Sequence, residues 1–153
     1  DQWKSWDSFK EGSSVTTEME AGGSKTSTTK TIDKKEAAVI HLKTSMKMAA
    51  MPDPIAGTED VKKPEAVKPV EGECPLCKKA YRDHKDESKW SDKTMAIGQK
   101  QVACHVWESP AKTCDGKDNA NKMEIWYSED VPGHIVKMVM ATMTQTVTAF
   151  EKK

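Results

Sequence analysis

The part of this sequence best suited to chemistry is Cys74-Pro75-Leu76-Cys77. Two thiols separated by two residues form a knuckle whose sulfurs can both face one tetrahedral cation, and the proline shapes the turn. A complete shell needs two further donors, for which His84, Cys104, His105 and Cys114 are the candidates. No second cysteine pair with knuckle spacing is present. The same four cysteines can instead form two disulfides in any of three connectivities, and in an exported chain that arrangement is expected ahead of a structural zinc. A third chemistry is covalent haem. Cys74-Pro75-Leu76-Cys77-Lys78 differs by one residue from the usual attachment pattern, with Lys78 in place of the proximal histidine. A thioredoxin-like role would require a βαβ context that the surrounding sequence lacks.

Other constellations carry less. Met46/Met48 and Met138/Met140 are each spaced by two, which could present thioethers to copper(I) but is also what burial on a strand demands. His41, His105 and His134 fall in no zinc-hydrolase spacing. There is no glycine-rich phosphate cradle, nucleophile elbow or metalloprotease helix motif. The stretch from Asp115 has neither the glycine at the sixth position nor the acid at the twelfth that a calcium loop requires, and reads as a turn. No catalytic residue is assigned, and a non-enzymatic role is expected.

These residues need a scaffold, and composition bounds it. The chain of 153 residues is expected to form one domain over 1–153. Only 36% of residues are hydrophobic and 31% are charged, so the core is thin and cysteine chemistry is expected to supplement it. Lysine plus arginine balances aspartate plus glutamate at 24 each, leaving no net field to concentrate nucleic acid or anionic lipid. No apolar run approaches the ~20 residues that span a bilayer. A start at Asp1 rather than Met reads as a processed chain, so an exported, extracytoplasmic protein is expected.

The periodicity is that of strands. Trp3, Trp6 and Phe9 share one face of a short N-terminal helix that ends before Gly12. From Ser14 the period becomes two: Val15, Thr17 and Met19 alternate, Gly22-Gly23 turns the chain, and a threonine-rich return follows. Ala38, Ile40, Leu42, Met46 and Met48 give a third strand. Residues 52–72, with Pro52, Pro54, Pro64 and Pro69 among lysines and glutamates, read as an extended connection rather than a strand. Residues 74–92 read as a cysteine-bearing loop or short helix. Strands are expected around Val102-Val106 and Met123-Tyr127, and residues 135–150 as one long strand with Ile135, Val139, Ala141, Met143, Val147 and Ala149 on its apolar face. The fold class is therefore mainly β: a curved antiparallel sheet, meander or half-barrel, with a short N-terminal helix and a cysteine-bearing loop.

Two stretches, Trp6-Asp7-Ser8-Phe9-Lys10-Glu11-Gly12-Ser13-Ser14-Val15 and Trp126-Tyr127-Ser128-Glu129-Asp130-Val131-Pro132-Gly133-His134-Ile135-Val136-Lys137, together resemble exported β-rich proteins of the kind encoded by planctomycete-like bacteria. The plan is also loosely similar to the half-barrel of lipoprotein carriers. The resemblance implies an antiparallel sheet curved around a helix and transfers no catalytic residue. The expected function is an interaction or assembly subunit that holds neighbouring protein chains through sheet edges and extended segments. The alternatives are a carrier of an apolar ligand or lipid in the curved sheet, and a single-haem electron carrier using Cys74, Cys77 and Lys78.

Overall fold

The computed structural model describes residues 1–65, 71–85 and 87–153. The chain opens with α1 (Gln2–Asp7), whose first free amides, those of Trp3 and Lys4, are accepted by the Asp1 carboxylate. Trp3 and Trp6 on this helix and Phe9 just beyond it are all buried. A six-residue helix has little stability of its own, so burial of these rings holds it in place.

Among the described residues nine strands follow: β1 (Ser14–Ala21), β2 (Ser24–Lys35), β3 (Val39–Met48), β4 (Ile55–Lys62), β5 (Lys89–Ile97), β6 (Lys100–Glu108), β7 (Met123–Tyr127), β8 (Ile135–Met140) and β9 (Met143–Glu151). They form one antiparallel sheet in the order β4-β3-β2-β1-β9-β8-β7-β6-β5. Two meanders, β1 to β4 and β5 to β9, are thus joined at the centre, where β1 pairs with β9. In a flat sheet β5 would lie about 19 Å from β9, four strand spacings away. Yet the two strands touch, and at the start of adjoining β6 the Lys100 ammonium sits 4.4 Å from the centre of the Phe150 ring. The sheet therefore bends back on itself, as expected of a thin-cored β protein. β7 pairs with β6 only over His105–Glu108, which lets the tip of the β5–β6 hairpin swing inward.

The alternation in the sequence sets the core. Ile32, Ile40 and Leu42 are essentially inaccessible and join Val15, Val61, Val136 and Val147 against Trp3, Trp6 and Phe9. The β1–β2 turn at Gly22-Gly23 has positive φ at both residues, the geometry of a two-residue hairpin matched to strand twist. No described helix is long and apolar enough to cross a membrane.

Three expectations are corrected. Within residues 52–72, Ile55–Lys62 is not a loose connection but edge strand β4, paired with β3 from Met46↔Ile55 to Val39↔Lys62. Pro52, Pro54 and Pro64 flank this strand without entering it, which is where an edge tolerates proline; Pro69 lies outside the described residues. Likewise β5 begins at Lys89, inside the stretch read as loop. Finally, residues 135–150 are a hairpin that turns at Ala141-Thr142. Met140 opposes Met143, so Val136, Met138 and Met140 share a face with Met143, Gln145 and Val147. Lys137, which would interrupt an apolar face on a single strand, falls with Thr146 on the other side.

Candidate metal centre

The long connection from β4 to β5 crosses between opposite edges of the sheet and carries the cysteine knuckle. Its turn is closed by two backbone bonds, Lys78 N–H to the Cys74 carbonyl (2.8 Å) and Cys74 N–H to the Lys79 carbonyl (2.9 Å). Lys78 adopts φ +59°, a left-handed conformation that side chains rarely accept and that reverses the chain after Cys77. Glu73 and Ala80 then bridge as a short ladder. A 3-10 turn, Tyr81–Asp83, delivers His84, whose ring packs against Tyr81 at 5.6 Å between centroids.

The fourth donor comes from the β6–β7 connection. There Lys112 bridges Asp118, and Thr113 N–H bonds the Lys117 carbonyl at 2.8 Å. The Thr113 hydroxyl bonds the Asp115 carboxylate. This small closed loop, turning at Gly116 with φ +84°, projects Cys114 toward the knuckle.

Cys74, Cys77, His84 and Cys114 come together: their donor atoms all lie within 4.8 Å of one another, close enough for one cation to reach all four. The Cys74 and Cys114 sulfurs are 3.6 Å apart and Cys77 Sγ is 2.9 Å from His84 Nε2. Backbone amides of Cys77 and Leu76 point at the Cys74 sulfur and hold its thiol below the ordinary value of 9.0. Cys114 is pushed the other way, to about 11, chiefly by its hydrogen bond with Cys77, then by burial and by its bond with Cys74. Crowded thiols thus share one easily formed negative charge, and a divalent cation is what lets the rest ionise.

The other two candidates lie elsewhere. Cys104 is buried within the core on β6, where its sulfur contacts the Val102 carbonyl at 3.5 Å and burial raises its pKa. His105 points to solvent and pairs with Asp92 at 2.6 Å. All four cysteines are free thiols. The 3.6 Å separation of Cys74 and Cys114 is far beyond the ~2.05 Å of a disulfide. With Cys104 isolated, three thiols remain for the cluster, an odd number that two disulfides cannot use.

No protein-family model, curated protein or solved structure matches this chain. The functional reading rests on the geometry of the molecule itself. Sequence spacing identified the Cys74/Cys77 knuckle but not the choice of Cys114 over Cys104, because that choice is made by the β6–β7 loop folding back over the knuckle. Sequence reasoning also missed a cavity beside α1. Its one signal was Gln145, a polar residue on an otherwise apolar face of β9.

Proposed function

We infer that this protein is a non-enzymatic interaction or assembly module whose coiled sheet is fastened at one end by a structural zinc ion. The observation that carries this reading is the convergence of four protein donors, three sulfurs and one imidazole, on a single point. Structural zinc sites fill a tetrahedral shell with protein ligands, whereas catalytic sites hold a position open for water or substrate. Two thiolates on one tetrahedral zinc stand ~3.8 Å apart by Zn–S bonds of ~2.3 Å, which fits the 3.6 Å between Cys74 and Cys114. Cys77 and His84, at 2.9 Å, exchange a hydrogen bond that the ion would replace by drawing them slightly apart. Zinc here would tie the edge-crossing connection to the β6–β7 loop, and so fix where β5 and β7 begin.

The interaction role is supported by the sheet's margins. Among the described residues β4 and β5 each have a neighbouring strand on one side only, leaving alternate backbone groups available to another strand. Each margin also exposes apolar surface: Ile55 at 47% beside Met46 at 39%, and Trp90 at 61%. The test is a metal and mass determination together with sedimentation. One zinc per chain and self-association, or a cross-linked partner that Ile55→Lys abolishes, support the reading. A protein that sediments as an ideal monomer at high concentration with no partner recovered overturns the assembly role, and a zinc-free protein with full native stability overturns the metal.

A further inference from the structure

Between α1 and the sheet lies a cavity of about 420 Å³, within the range of small-ligand sites. Its apolar walls are Trp6, Val15, Pro132 and Ile135, and Tyr127 and Gln145 reach it from the sheet. The Tyr127 hydroxyl and the Gln145 amide form no hydrogen bond among the described residues. His134 also lines the cavity, but its Nε2 is buried beneath the accessible surface and out of a ligand's reach. The one lysine there, Lys30, is already paired with Glu59, and Asp1 brings a carboxylate beside its amino group, so no cationic side chain of the lining stands unpaired. Outward, the Tyr127 ring packs against exposed Trp90, with centroids 6.2 Å apart and planes 31° from parallel. Tyr127 thus belongs both to the cavity lining and to an aromatic shelf with Trp90.

We propose that this cavity and the Trp90–Tyr127 shelf bind the uncharged rings of a glycan. Three properties select that ligand class. Flat aromatic faces pack against the C–H face of a sugar ring. Unpartnered amide and phenol groups match vicinal hydroxyls, each of which both donates and accepts. Pairing of Lys30 with Glu59 leaves no unpaired cationic side chain in the lining to favour a phosphate or carboxylate. A purely aliphatic chain fits less well, since it would cover these hydrogen-bonding groups and leave them unsatisfied. Trp90 is the second residue of β5, six positions beyond His84, so the site is tested on protein whose zinc content is known, and sedimentation tests the assembly role separately.

The experiment is a titration of the intact protein, with zinc content verified, followed by tryptophan fluorescence and calorimetry. The probes are cellotetraose, xylotetraose, mannotetraose, chitotetraose and maltotetraose, with palmitate and phosphatidylcholine vesicles as the lipid arm. At least one oligosaccharide is expected to bind saturably. Trp90→Ala should weaken it by about tenfold, and Tyr127→Phe and Gln145→Ala by about fivefold each. Trp90 is solvent-exposed, so its truncation should leave the melting temperature unchanged. Failure of all five sugars to bind, binding of palmitate or vesicles in their place, or sugar affinity indifferent to all three substitutions would each overturn the proposal.

Discussion

Cys74 and Cys114 are 40 positions apart in the chain, yet their sulfurs stand 3.6 Å from one another. The contact joins two connections that the sheet itself does not hold together, so whatever bridges these sulfurs sets how firmly that end of the molecule is fastened. Stripping metal with a strong chelator should lower the melting temperature by roughly 5–15 °C. Cys114→Ser should reproduce most of that loss and remove the response to added zinc. Cobalt substitution supplies the optical check, because three thiolates around tetrahedral cobalt give intense charge-transfer bands. A Soret band in the purified protein would point to haem at the knuckle instead.

Thiol accessibility should separate Cys104 from Cys77 and Cys114. In the folded, metal-free protein, a thiol reagent is expected to modify half-buried Cys77 and exposed Cys114, with Cys104 reacting only on unfolding because the core shields it. Peptide mapping after alkylation with and without denaturant measures this. Early modification of Cys104 in the native protein would contradict its place in the core.

His134 gives a pH dependence whose sign is fixed. Burial lowers its folded-state pKa below the ordinary 6.5. The unfolded chain therefore takes up a proton first as pH falls, and the contribution to stability, complete above pH 6.5, is lost as pH drops through the folded value. Denaturant unfolding between pH 7.5 and 5 should show this decline. His134→Asn should flatten it while tolerating the φ of +59° at this position. An unchanged slope in the variant would assign the effect to other groups.

At Gly133, φ is +84° and an added Cβ would lie 3.3 Å from Trp6 Cζ2. Gly133→Ala combines backbone strain with a push against the ring that anchors α1, and should cost about 1–3 kcal/mol. Leu42→Ala, at a position 1% exposed in the core, should cost about 2–5 kcal/mol. Equilibrium denaturation of both variants checks the pair, and tryptophan emission should shift to the red only where Trp6 becomes exposed.

The parts of the fold legible in the sequence are those where periodicity and turn chemistry agree. Val15, Thr17 and Met19 alternate into Gly22-Gly23, and the hairpin follows; Ile40 and Leu42 mark the buried face of β3. The edge strands were hidden because an edge buries little. Ile55–Lys62 and Lys89–Ile97 are largely exposed and so lack the apolar alternation that announces a strand. The β8–β9 turn was hidden for a different reason: Ala141-Thr142 reverses the chain without positive φ and without glycine or asparagine. In the cluster, Cys74-Pro75-Leu76-Cys77 is a local pattern that spacing reveals. The selection of Cys114 and His84 over Cys104 and His105 depends on contacts between separate connections, which no spacing encodes.

The pairing of β1 with β9 places the seam of the molecule in the middle of its sheet rather than at a border. Each four- or five-strand half is assembled from sequence neighbours, and among the strand pairings only this seam joins residues more than a hundred positions apart; α1 reinforces it where the Gly133 amide bonds the Ser5 carbonyl. A polypeptide severed between Lys62 and Lys89 would consist of two pieces, each retaining its own ladder and each presenting a matching free border. Mixed together, such pieces are expected to recombine into the native molecule, which makes this architecture suited to split-reporter reconstitution.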